Sequence, residues 1–183
     1  KTLGGGSCAP VSDGRIFIGD NYATQKRLCN GPLRTAAEFT WPEFEFDAAA
    51  VTVKRSLSLD ANTRLVHWTA SFETPGKDSL DVVVGAVLHD VKSIVYGKDY
   101  ISFTELASDS REEVNDDLIS IGLILSDRFA AEAAELDGHA VLKFRVKCGE
   151  TVDYWAASGW NKGGIESPEA WNEYMKEQAV AVN

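Results

Sequence analysis

Apolar and polar residues alternate with a period of two along most of the chain, and the alternation breaks at clusters of Gly, Asn, Asp and Pro. The pattern is clearest between His139 and Gly164. Leu142, Phe144 and Val146 share one parity, which predicts a half-buried strand over 141–147. Cys148-Gly149-Glu150 reads as a tight connection, and 151–158 as the second strand of an antiparallel hairpin. That strand runs out into Gly159-Trp160-Asn161-Lys162-Gly163-Gly164, an indole, an amide and an ammonium on a glycine-flanked turn. Loops carried by a rigid sheet often hold binding groups. The alternative is that Trp160 plugs the end of a core while Asn161 and Lys162 face water.

Upstream, Val11-Ser12-Asp13-Gly14, Gly19-Asp20-Asn21 and Asn30-Gly31-Pro32 mark turns around short strands at 15–18 and 22–29. Leu33, Ala37, Phe39 and Trp41 then oppose Arg34, Glu38 and Thr40, as in a sheet with one wet face. Strands follow at 43–46 and 50–59. The second has Val51, Val53, Leu57 and Leu59 in one row, with Arg55 among them, so this guanidinium must be paired or face a cleft. Asp60-Ala61-Asn62 closes a hairpin onto 64–73, where Val66, Trp68, Ala70 and Phe72 point inward and His67 lies on the other row. Residues 80–88 are almost continuously apolar, which predicts a central strand covered on both faces and ending in His89-Asp90. A histidine there is a candidate general base; the plainer reading is a structural hydrogen-bonder. Gly97-Lys98-Asp99 joins strands at 91–95 and 100–103, and 118–125 is a further buried strand.

Two helices are predicted. One is the alanine-rich stretch near 127–137, ending at Asp137-Gly138. The other lies near 168–179, with Ser167 as N-cap, Pro168 in the first turn, and Trp171, Tyr174 and Met175 spaced to dock on a sheet. The expected fold is therefore mainly β, an antiparallel β-sandwich forming a single domain over 1–183.

Composition narrows the function classes. A net charge of −10 and a pI near 4.7 oppose sequence-independent binding of nucleic acid. No apolar run approaches the ~20 residues that cross a bilayer, so no membrane insertion is expected. Basic residues gather early, at Arg15, Lys26, Arg27 and Arg34, whereas 109–117 is acidic: a solvated loop, with calcium binding as the minor alternative. Cys8, Cys29 and Cys148 have neither zinc nor CxxC spacing; either Cys8 pairs with Cys29 or all three are buried thiols. His67, His89 and His139 are scattered, Gly4-Gly5-Gly6 precedes no helix, and no GxSxG elbow is present. Neither a metal nor a cofactor is expected. The opening KTLGGGSCAP lacks Met and reads as the start of a mature or trimmed chain, or of a piece of a longer one.

Several phrases together, TLGGGSCAP, NGPLRT at 30–35, SLSLDANTRL at 56–65, VGAVLH at 84–89 and YWAASGWNKGG at 154–164, resemble a family of secreted bacterial proteins known as a domain of unknown function. The resemblance runs over nearly the whole chain. It implies a supersandwich like that of galactose mutarotase, a periplasmic or secreted location and an association with polysaccharide degradation. Family members carry a β-rich segment before the TLG phrase, so an N-terminal portion, or a second chain in its place, is an expected partner.

Three function classes follow. A carbohydrate-active enzyme would act on plant or algal polysaccharide fragments, uronate-containing chains among them. As a lyase it would use His89 or Tyr154 as base and Arg34, Arg55 or Lys162 as the stabilising cation. As a hydrolase it would need two carboxylates, for which Asp20, Glu38 and Asp90 are candidates. A noncatalytic carbohydrate-binding module would instead use Trp155, Trp160 and Tyr22 as stacking faces with Asn161 and Lys162 as hydrogen-bonding groups. The third class is a structural sandwich whose aromatic residues are simply core.

Overall fold

The computed structural model describes residues 1–107 and 117–183, so the acidic stretch lies outside the described residues except for Asp117. The chain forms β1 (Ser7–Ser12), β2 (Arg15–Ile16), β3 (Thr24–Asn30), β4 (Arg34–Thr40), β5 (Phe44–Phe46), β6 (Ala49–Asp60) and β7 (Leu65–Glu73). These are followed by β8 (Ser79–Val87), β9 (Val91–Tyr96), β10 (Tyr100–Leu106), β11 (Leu118–Leu125), β12 (Glu132–Leu136), β13 (His139–Lys147) and β14 (Val152–Trp160). A single 3-10 turn (Asn161–Gly163) then leads to helix α1 (Pro168–Val182). The strands build two antiparallel sheets stacked as a sandwich, as the alternation predicts. The smaller has the order β12-β13-β8-β1-β2, the larger β3-β4-β6-β7-β14-β11-β10-β9, with β5 beside β6.

The inner faces meet in one core. Val82, Val84, Leu142 and Phe144 of the small sheet pack on Phe72, Ile101, Phe103, Leu123 and Tyr154 of the large one. Val83 of β8 is also buried, on the opposite face, under Leu3, Val11 and Ile16. That double cover is why residues 80–88 show no alternation. Helix α1 closes the outer face of β10 and β11, burying Trp171, Met175 and Ala179. Ser167 caps it by accepting a hydrogen bond from the Ala170 amide at 3.2 Å, and the Trp171 indole donates to the Ile121 carbonyl at 3.1 Å. The N-terminus is tied down by the Leu3 amide, which donates to His139 Nε2 at 3.1 Å.

Three expectations are corrected. The segments 141–147 and 151–158 are strands but not a hairpin: β13 pairs with β8 and β12, whereas β14 pairs with β7 and β11. The turn between them crosses from one sheet to the other. Its amides are used elsewhere, Cys148 donating to Asp78 and Gly149 to Phe72, both carbonyls at 2.9 Å. The stretch near 127–137 is not a helix. Its second half is the edge strand β12, and Asp137 and Gly138 (φ 52° and 70°) form the two-residue turn of a hairpin to β13 rather than a helix stop. Pairing along β13 outweighs the helix propensity of its alanines. Finally, all three thiols are free. Cys8 is buried in one sheet, Cys29 is exposed on the edge of the other, and Cys148 is half-buried.

Candidate functional site

The large sheet is wider than the small one, and part of its inner face is left open. Cross-strand partners project to the same face of a sheet, so the register defines that surface. One row aligns Ala37, Leu57, Trp68 and Tyr154; another aligns Leu59, Val66 and Ala156; the last aligns Trp160, Ile119 and Glu105. Gly5, Gly6, Arg64, Val66, Trp68, Ile119, Ile121 and Ser158 line a groove of about 330 Å³ on this face. Gly6 is required at its wall: with φ +144°, a Cβ there would come within 2.8 Å of Ala156 and 2.9 Å of Leu123.

From the Trp68 end an aromatic strip continues across the sheet. Trp68 stacks on the buried Tyr154 ring at 6.3 Å with 7° between planes, Phe39 lies 6.5 Å from Trp68, and Tyr22 lies 5.0 Å from Phe39. Trp41 flanks both Tyr22 and Phe39. Tyr22 is exposed, and Phe39, Trp41 and Trp68 are half-buried. Strip and groove together make a trough running over β4, β6, β7, β14 and β11, roughly 20 Å at the usual spacing between strands.

At the other end stand the residues singled out from the sequence. Trp160 is 46% exposed. Asn161 Oδ1 accepts from the Leu118 amide at 3.0 Å, and Lys162 pairs with Asp117, so both side chains help hold the turn against the start of β11. Across Ile119, Glu105 is almost fully buried and holds His89 twice. Its Oε1 lies 3.2 Å from His89 Nδ1, and its Oε2 accepts the His89 backbone amide at 3.2 Å. The His89 side chain is 44% exposed, so its other ring nitrogen can reach solvent. Glu105 and Trp160 flank Ile119, so their backbones are about 10 Å apart.

The remaining candidates lie apart. Tyr154 is fully buried, and burial pushes its phenol pKa up, which removes it from proton transfer at the surface. Arg34 points to the outer face at the far side of the sheet and donates to Asp60 at 2.7 Å. The bond to the Asp60 carboxylate raises the pKa of Arg34, and the bond to the Arg34 guanidinium lowers that of Asp60. Arg55 is paired as its row demanded: it donates to Ser7 Oγ at 2.7 Å and to the Cys8 carbonyl at 2.6 Å, with its guanidinium 4.5 Å from the Trp41 ring centroid. It ties β1 to the large sheet. Asp20 pairs with Lys1, Asp90 with Lys92, and Glu38 is on the outer face, so these carboxylates do not converge. Trp155 is also on the outer face, stacked on His67 at 4.9 Å.

Phe39, Trp41, Trp68 and Arg64 of the trough are not among the site candidates read from the sequence. Trp68 reads as core from its parity, and only the difference in width between the sheets exposes it. Arg64 shares the parity of Val66 and Trp68, which was the available signal. A larger cavity of about 750 Å³ lies at the end of the small sheet, and two ion pairs form within its lining, Lys77 with Asp47 and Arg145 with Asp81, both at 3.1 Å.

Comparison with known proteins agrees with the fold. A solved structure described as "Putative kojibiose phosphorylase from human microbiome" superposes with a TM-score of 0.51 at 12% identity, covering 81% of this chain and 21% of that one. This chain thus spans about a fifth of that protein's length, and the likeness is one of fold. No curated protein matches the sequence. The domain of unknown function DUF4861 matches over residues 1–183, the whole length, and the chain belongs to that family.

Proposed function

We propose that this protein binds carbohydrate along the inner-face trough. The observation that carries the reading is the row of accessible rings, Tyr22, Phe39, Trp41 and Trp68, on one face of a rigid sheet, leading into the groove towards Trp160. Sugar rings present flat apolar faces edged with hydroxyls, which suits aromatic stacking flanked by a few polar groups. The fold likeness to a carbohydrate-active phosphorylase supports a carbohydrate-related role. The ligand class is a polysaccharide fragment of plant or algal type, long enough to cover several rings of the strip, and a periplasmic or secreted setting fits such a ligand.

A second reading adds turnover, favoured by the His89–Glu105 pair at the end of the groove. Glu105 accepts from His89 Nδ1–H, which leaves Nε2 with its lone pair free to take a proton. With a uronate, that proton is the one on the carbon next to the carboxylate. The electron pair forms a carbon–carbon double bond, and the glycosidic oxygen leaves and is protonated by water.

Calorimetric titration with neutral and acidic oligosaccharides tests both. Binding should weaken about tenfold in Trp160→Ala, the loss of roughly 1.4 kcal/mol of stacking, with thermal stability unchanged because Trp160 is exposed. Equal affinity in Trp68→Phe, Trp160→Ala and wild type contradicts the trough. For turnover, ultraviolet absorbance of an unsaturated product should appear with wild type and vanish in His89→Ala while binding persists. New reducing ends without that absorbance indicate hydrolysis, and contradict the elimination.

A further inference from the structure

The geometry points to Arg64 as the residue that selects an anionic sugar, by holding a carboxylate or sulfate ester at the Trp160 end of the trough. The inference rests on the trough being the carbohydrate site and concerns which sugar it takes. Arg64 lines the groove beside Ser158, on the floor otherwise formed by Val66, Ile119 and Ile121. Its Nη2 donates to the Gly163 carbonyl at 2.8 Å. That acceptor is neutral, whereas Arg34, Arg128 and Arg145 are each matched by a carboxylate, of Asp60, Asp153 and Asp81. The bond to Gly163 therefore aims the guanidinium without cancelling its charge, and its other N–H groups keep the fork geometry that suits a two-oxygen anion.

The surroundings favour one polarity. Gly163 and Gly164 bring the backbone against the guanidinium; a Cβ at Gly164, where φ is +91°, would sit 3.5 Å from Arg64 Nη2. Gly163 also lies against the Trp160 ring, so the cation and the exposed indole share one turn. Across Ile119, Glu105 repels an anion from the His89 end. A sugar stacked at Trp160 would thus turn its acidic group to Arg64 and its ring edge to His89. Lys162, a second cation among the described residues of this end, is engaged with Asp117.

The test compares three probes of equal length: an oligogalacturonate, its methyl ester, and a sulfated neutral oligosaccharide. They are titrated into wild type, Arg64→Gln and Arg64→Lys at low and moderate salt. Wild type should bind an anionic probe at least ~10-fold more tightly than the ester, and the preference should shrink with salt. Whether the carboxylate or the sulfate is favoured identifies the group. Arg64→Gln should lose the preference, its affinity for the anionic probes falling to its affinity for the ester, and Arg64→Lys should keep part of it. An unchanged preference in Arg64→Gln, or equal wild-type affinity for all three, overturns the assignment while leaving the trough standing. The trough itself fails separately, if Trp160→Ala binds every probe as wild type does.

Discussion

Arg55 in β6 and Arg64 just ahead of β7 serve differently: Arg55 holds the two sheets together through two neutral acceptors, whereas Arg64 is aimed at the groove by the Gly163 carbonyl. Arg55 satisfies the Cys8 carbonyl and Ser7 at the seam between the sheets. Arg55→Met keeps the stem but removes both donors, and should cost about 2–4 kcal/mol in urea unfolding because a charge-assisted pair of hydrogen bonds is lost. A loss under about 0.5 kcal/mol would show that the seam does not depend on it. Cys8, beside it, is fully buried, and burial pushes its thiol up to about 12 despite the nearby Arg55. Because the folded pKa lies above the unfolded value of 9.0, the contribution is intact below pH 9 and declines as pH rises towards 12. Stability should therefore fall over that window, and Cys8→Ala should flatten the decline. At pH 8 a thiol reagent followed by mass spectrometry should label Cys29 quickly and Cys8 only on unfolding. Rapid labelling of native Cys8 would contradict its burial.

At the scale of elements, much was legible and the errors have a common cause. Alternation located nearly every strand, and the Ser167-Pro168 start placed α1, which runs to Val182. What period two cannot report is the partner. A turn of Cys148-Gly149-Glu150 serves a hairpin or a crossover equally, and the choice was made by Asp78 and Phe72, distant in sequence. Asp137-Gly138 was ambiguous in the same way, a helix stop or a hairpin turn until β13 offered an edge. The site followed this division. Trp160 and His89 were visible as strand-end residues, while Trp68 became a surface only because two sheets of unequal width were stacked. Gly6 is the element-scale test. Gly6→Ala adds a Cβ against Ala156 and Leu123 in a backbone conformation that L side chains rarely adopt. It should destabilise by roughly 1–3 kcal/mol and also weaken oligosaccharide binding, since the β1 lead-in forms the groove wall. Destabilisation without any effect on binding would remove that wall from the site.

At the scale of the whole molecule, the proposed carbohydrate surface is the inner face of the large sheet, beyond the rim of the small one, and not the outer face under α1. The five tryptophans divide between these surfaces. Trp41, Trp68 and Trp160 belong to the trough, whereas Trp155 and Trp171 lie on the helix side, with Trp171 buried. Their indole N–H resonances can be followed by two-dimensional NMR while oligosaccharide is added, with single Trp→Phe variants for assignment. Trp68 and Trp160 should shift in a saturable, ligand-dependent way while Trp155 and Trp171 stay fixed. Saturable shifts confined to Trp155 and Trp171, or no shift of any indole across neutral and anionic oligosaccharides, would contradict that placement.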